Sequence, residues 1–440
     1  MNAAVRRPPG VGSAGAVLAG VVLSAGVLLP AGAARADTPG PSAAAGAPGD
    51  ALPGVTQLRR QPAGKPAGCL PASAKGTQLT PWPQTFLRPD RVWPLSQGDG
   101  VTVAVLGSGV SDGSGLLAGR IDFAAKLPDA GDPARDCVGH GTFLAGLIAA
   151  DRRDGAGFAG LAPHARILAV GVTDDTGATS PDLLAQGITA AAERGARVID
   201  VGVTVPTGSD ALAAAVRLAR SKGALVVAPA APDVMPGSQG DAKPEPVYPT
   251  AYPEVLAVRD LGPGGALPED GAAAVGGRVD LTAPGDAVMS TGPTAGGYYT
   301  GSGPSYATAF VAGAAALVLG YRPGLSADQL AHRLEATAYR AGGAVPDPQV
   351  GHGTVDPVAA VTSLLAQEQS TPSPAGTAPA TPTVPVMPPA RPASAAPRQA
   401  AVVALGALGV IALVALAAAI GPRGRARGWQ PPKPEPGGGA

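Results

Sequence analysis

An α/β domain with a parallel sheet covered by helices on both faces is what the sequence predicts, on three observations. Strand-length runs that are apolar throughout alternate with helix-length segments. The helix-length segments open and close on cap residues. Large aromatic residues are few, five Phe, seven Tyr and three Trp in 440 residues, so the core must be built from Val, Leu, Ile and Ala.

In chain order, VTVAVL at 101–106 reads as a buried strand and GHGTFLAGLIAA at 139–150 as the apolar helix after it. ARILAVGV at 165–172 is the next strand, and Ser180 and Pro181 then open a helix as N-cap and first helical residue. ARVIDVGV at 196–203 is a strand, SDALAAAVRLARSKG at 209–223 a helix closing on Gly223, and ALVVA at 224–228 a strand. Reactive groups in such sheets gather beyond the carboxyl ends of the strands. The first strand reaches that end in Gly107 and Ser108, a place where a hydrolytic site often seats a carboxylate.

Both ends of the chain are of another kind. Arg6 and Arg7, the run VGSAGAVLAGVVLSAGVLLPAG and the small-residue pattern Ala34-Arg35-Ala36 read as a secretory signal over residues 1–36, with an uncleaved anchor as the alternative. Residues 37–78, rich in Ala, Pro and Gly, read as an extended N-terminal extension. The globular domain is expected over 79–365, followed by a Pro/Ala/Thr-rich linker at 366–399. Residues 400–421 are uncharged and long enough to span a bilayer as a transmembrane helix. Arg423, Arg425 and Arg427 in the tail at 422–440 assign that tail to the cytoplasm and the domain to the outside, a single-pass protein of the cell membrane.

Lys plus Arg and Asp plus Glu both number 32, so no net field gathers nucleic acid. Cys69 and Cys137 are the two cysteines, and in an exported segment they read as one disulfide, with two free thiols as the alternative. No zinc, phosphate-loop or dinucleotide signature is present, so neither cofactor nor metal is expected.

Two motifs carry chemistry. DCVGHGTFLAGLIAA sets His140 at the opening of a helix, and GSGPSYATAFVAGAAALVLG sets Ser305 at the opening of another, where backbone N–H groups favour a developing anion. Brought together, the two can act as general base and nucleophile. Each also has a structural role open to it, the histidine bonded under a helix start and the serine as an N-cap. His352, in a second GHGT before VDPVAAV, reads as a turn residue, and His164 and His332 have no metal-ligand neighbours.

On these motifs the chain resembles the subtilisin-like serine proteases, and within them the mycosins, membrane-anchored proteases of type VII secretion systems. GHGTFLAG is similar to the family's histidine motif, GPSYATAFVAG to its serine motif and GHGTVDPVAAV to its closing segment. TPWPQTFLRPDRVWPLSQGDGVTVAV, the cysteine before GHGT, the signal, the linker and the terminal helix with its basic tail resemble the mycosins. The resemblance implies a subtilisin-like fold with a seven-stranded parallel sheet, a Ser-His-Asp triad, an oxyanion-hole asparagine and an N-terminal extension pinned by a disulfide.

His140 then matches the base and Ser305 the nucleophile, but two positions depart from the pattern. VAVLGSG puts Gly107 where the family writes its acid, and LVVAPAAPD is aligned with Pro232 on the oxyanion asparagine and Asp233 after it. Pro304 and Ala309 replace a threonine and a proline of the serine motif. Asp112, five residues beyond Gly107, and Asp136, four before His140, are the candidate substitute acids. The expectation is a catalytically impaired mycosin-like protein acting as a structural or partner-binding component, with the membrane, type VII secretion components and exported polypeptides as partners. An active serine endopeptidase with a substitute acid and a module binding extended peptides are the alternatives.

Overall fold

A computed structural model describes residues 52, 54, 69–174, 177–233, 245–268, 276–294, 296–340 and 342–368. The expected signal, most of the N-terminal extension, nearly all of the linker, the transmembrane helix and the tail lie outside the described residues.

A short helix α1 (Trp82–Leu87) leads into β1 (Thr102–Gly107) and β2 (Ile121–Phe123), followed by α2 (His140–Ala149) and β3 (Arg166–Gly171). Next come α3 (Pro181–Glu193), β4 (Val198–Val201), α4 (Asp210–Ser221), β5 (Leu225–Pro229), β6 (Val255–Leu261) and β7 (Leu281–Pro284). A hairpin of β8 (Val288–Thr291) and β9 (Tyr298–Gly301) precedes α5 (Pro304–Tyr321), α6 (Ala327–Ala336) and α7 (Pro357–Thr362).

Seven strands form one sheet in the order β2-β3-β1-β4-β5-β6-β7, every pair parallel. Alternate residues of each strand enter different layers, as the period of two requires. Val103, Val105, Ile167, Ala169, Val198, Val227 and Val258 pack with α2 and α5. Ala104, Leu106, Leu168, Val170, Ile199, Val201 and Val226 pack with α3 and α4. The two layers of helices differ because their surroundings differ. α3 and α4 are amphipathic, each capped by a serine: Ser180 accepts from Leu183 N–H and Ser209 from Leu212 N–H. All of α2 is buried, as is α5 from Pro304 to Leu319, so each is apolar around its whole circumference. α5 is long and apolar enough to cross a membrane, yet 89% of it is buried within the domain. It is the central core helix.

The chain winds from β1 to β3 on one side and reaches β4 on the other, so strand order reverses at β1. Crevices that hold ligands open at such switch points, beyond the strand carboxyl ends. Gly107 ends β1 at that crevice, and α2 and α5 start beside it.

The disulfide Cys69–Cys137 ties the N-terminal extension to the loop before α2. Leu70 N–H donates to Cys137 O, and the extension continues over β9, where Tyr299 Oη accepts from Ser73 N–H and donates to Pro71 O. Gly139 sits at φ 86°, a conformation that favours glycine, and a Cβ there would also press on Leu70 Cδ2 at 2.4 Å.

Candidate active site

The site is built from three helix or strand ends. α2 begins at His140, and its start is fixed by Asp136, whose Oδ1 accepts from Gly139 N–H (2.7 Å) and Ser108 Oγ (2.9 Å) while Oδ2 accepts from Thr142 N–H (2.8 Å). Ser108 Oγ in turn accepts from Gly141 N–H. Burial pushes the Asp136 carboxyl up and these bonds oppose the rise. Both oxygens are therefore spent on capping α2, and Asp136 is no substitute acid for His140. Asp112 is committed too, its Oδ1 accepting from Leu117 N–H in the loop after β1.

α5 begins beside it. Ser305 and His140 are both fully buried, and His140 Nε2 lies 2.9 Å from Ser305 Oγ. The two residues picked out by their motifs are thus brought together.

A third group joins them. Asp233, just beyond β5, places Oδ2 2.7 Å from Ser305 Oγ and 3.2 Å from His140 Nε2, and its Oδ1 accepts from Ser305 N–H at 2.9 Å. Pro232 was the residue expected at the oxyanion position, and the residue that the structure brings against Ser305 is its neighbour Asp233. Gly303 allows the approach, since a Cβ there would lie 2.5 Å from Asp233 Oδ1.

At Gly107 the structure offers only backbone. A Cβ built there would stand 4.0 Å from His140 Nδ1, so the end of β1 does face that nitrogen, but no acceptor extends from it. His140 Nδ1 is buried without a hydrogen-bond partner among the described residues.

Proton positions follow from these partners. Ser305 has one hydroxyl proton, and the carboxylate at 2.7 Å is its strongest acceptor. His140 Nε2 then faces a hydroxyl oxygen and a carboxylate oxygen, two lone-pair-bearing atoms, and favours the tautomer with the proton on Nε2. A general base for Ser305 needs the opposite tautomer, Nδ1–H held by an acid and Nε2 bare toward the hydroxyl. The carboxylate lies on the Nε2 side of the ring and not on the Nδ1 side.

The surroundings are apolar and acidic. Tyr306 packs its ring against His140 with centroids 5.3 Å apart and against Phe143 at 4.8 Å, and its hydroxyl is buried without a partner. Burial holds that phenol well above its usual range, and the Asp233 charge adds to the rise. Asp260 at the end of β6 is pushed up to about 6 by burial, with the charges of Asp233 and Asp286 acting in the same direction. Deeper in the sheet, Asp200 on β4 is fully buried with both oxygens unpartnered, and burial raises it to about 7. Thr308 offsets part of that rise, although its hydroxyl is turned to Ser305 O at 2.6 Å. No group of three or more metal-binding side chains exists among the described residues. His352 lies in a turn against Asp280 O, and His164 pairs with Asp99 at the surface.

Known proteins share this framework. A model of the subtilase family, Peptidase S8, matches residues 98–353. Mycosin-3 of Mycobacterium tuberculosis is 32% identical over 398 residues, covering 77% of this chain and 82% of its own. The structure titled as the MycP3 protease from the type VII (ESX-3) secretion system superposes with a TM-score of 0.58 at 29% identity, covering 71% of this chain and 97% of that one. A chain of an intact ESX-5 inner membrane complex does so with a TM-score of 0.57 at 27% identity, covering 84% of this chain and 97% of that one. The chain belongs to the subtilase family, as one of its mycosin-type, subtilisin-like members.

Proposed function

We propose that this protein is an extracytoplasmic, membrane-anchored component of a type VII secretion system whose subtilase site is catalytically impaired, and that it serves the machinery by binding its partners. The observation that carries the reading is the position of Asp233 on Nε2 of His140, opposite the nitrogen that a triad acid would hold. Loss of the proper tautomer from a Ser-His-Asp triad lowers turnover by about 10⁴. Replacing a neutral oxyanion donor removes a further ~10²–10³. A carboxylate in that place also opposes the negative charge that develops on the substrate oxygen, and it already accepts the Ser305 N–H that would steady it.

Likeness to the mycosins and to a chain of the ESX-5 inner membrane complex supports the secretion role. The basic, apolar N-terminal run and the apolar segment at 400–421 with its arginine flank support export and anchoring. The short His140–Ser305 contact supports a second reading, a slow endopeptidase, because nucleophile and base remain within reach.

The two readings separate in the host. Deletion of the whole chain should abolish secretion through the system, while Ser305→Ala and His140→Ala should each leave it intact. Loss of secretion in both point variants, with the protein still at normal abundance, would show that the chemistry is required.

A further inference from the structure

We propose that the cavity between α6 and the amino ends of β5 and β6 binds an alkylguanidinium group, with Glu335 as its counter-ion. The cavity holds about 300 Å³, at the lower end of the range for ligand sites. It opens at the end of the sheet opposite the crevice of His140 and Ser305, since Leu225 and Val255 in its wall are the first residues of their strands. Leu256, Ala327 and Ala331 complete an apolar wall beside them. Four of the charged groups that line it are joined in pairs. Arg278 Nε donates to Asp280 Oδ1 at 2.7 Å and its Nη2 to Val255 O, while Asp280 Oδ2 accepts from Ala257 N–H. Arg220 Nε lies 2.8 Å from Asp328 Oδ1.

Two carboxylates are left over, Glu254 and Glu335, and neither takes part in a hydrogen bond or a close ion pair among the described residues. Glu335 is half-buried. Burial raises its carboxyl; His352 opposes the rise, Asp280 adds to it, and His332 and Arg278 oppose it further. A carboxylate drawn partly out of water without a donor is stabilised by a cation that brings N–H groups. No group of three or more metal-binding side chains exists among the described residues, so a bare metal ion has no ligand set here. A guanidinium fits on both counts. Its planar fork meets the two oxygens of one carboxylate, it sheds water more readily than an ammonium, and its alkyl stem lies against the apolar wall.

The full chain is titrated calorimetrically with butylguanidinium chloride, and with butyltrimethylammonium chloride, which has the same charge and alkyl chain but no N–H, at equal ionic strength. Butylguanidinium should bind saturably and butyltrimethylammonium should not. Glu335→Gln keeps the shape and removes the charge, and Ala331→Leu narrows the cavity while leaving the carboxylate in place; in each the affinity should fall at least about tenfold. In the unaltered chain the ¹³C resonance of the Glu335 carboxyl should shift with the same dissociation constant, a readout that needs no variant to fold. A free guanidino compound and an arginine side chain share this chemistry, and N-acetylarginine methylamide tells them apart: affinity equal to that of butylguanidinium assigns the site to a side chain, and affinity at least about tenfold weaker to a free compound. The proposal is overturned by the absence of saturable binding, by an unmoved Glu335 resonance, by undiminished binding in either variant, or by equal binding of butyltrimethylammonium, which would mark charge screening only.

Discussion

His140 Nε2 lies 3.2 Å from Asp233 Oδ2, while Nδ1 of the same ring has no partner among the described residues. A carboxylate and an imidazole are thus both in contact with Ser305, but the carboxylate lies on the Nε2 side of the ring and accepts the Ser305 N–H. Most of the behaviour expected of the protein follows from that arrangement.

Moving the carboxylate back across the ring should restore chemistry. Gly107→Asp puts an acid within reach of Nδ1 at a position where a Cβ fits, and Asp233→Asn returns a neutral donor to the oxyanion side. Gly107→Asp alone should gain little, because Asp233 still holds Nε2–H. Together the two substitutions should raise peptide hydrolysis by about 10⁴ or more over the unaltered chain, measured on a fluorogenic peptide. A double variant that folds and stays inert would place the fault elsewhere.

Asp136 acts in stability rather than in catalysis. Asp136→Ala removes the cap of α2 and leaves the Gly139 and Thr142 N–H groups and the Ser108 hydroxyl short of an acceptor. The expected cost is about 2–4 kcal/mol, read from urea unfolding.

Asp200 makes stability depend on pH. Its carboxyl titrates near 3.8 in the unfolded chain and at about 7 in the folded one, so the folded state holds the proton through the window between them. Stability from this group is full below about pH 4 and is lost as pH rises toward 7, with an upper limit of about 4 kcal/mol. Asp200→Asn, which cannot ionise, should remove that slope: the difference in Tm between variant and native chain should grow in the variant's favour from pH 4 to pH 8. A constant difference would show that Asp200 is not held protonated.

The buried hydroxyl of Tyr306 contributes nothing that its ring does not. It has no partner among the described residues, so Tyr306→Phe should leave stability unchanged or raise it by about 1 kcal/mol, whereas Tyr306→Ala should cost about 3–5 kcal/mol. Calorimetric unfolding of the two variants checks the sign.

Breaking Cys69–Cys137, which closes a loop of 68 residues, should cost about 4 kcal/mol in the chain-entropy account. Urea midpoints with and without reductant give the value.

Much of this was legible in the sequence because it rests on local rules. Uninterrupted apolar strands, Ser180 and Ser209 as caps, and glycine at 107 each follow from residue type and spacing alone. Asp136 and Asp233 were harder for a shared reason: each sits in a loop, and its role is set by which N–H groups the fold turns toward it. The single-residue offset between Pro232 and Asp233 reverses the chemistry, since proline offers no side-chain hydrogen-bonding group and aspartate brings a charge. Asp200 lies within ARVIDVGV, where the strand pattern is plain, yet only packing against α5 shows that its carboxyl has no partner.

Reaction of Ser305 with a fluorophosphonate probe tests the central claim most directly, because labelling needs an activated hydroxyl and a usable oxyanion site but no particular substrate. The unaltered chain should label no faster than Ser305→Ala, and Gly107→Asp with Asp233→Asn should label readily. Labelling of the unaltered chain at Ser305 at the rate of an ordinary serine protease would contradict the account.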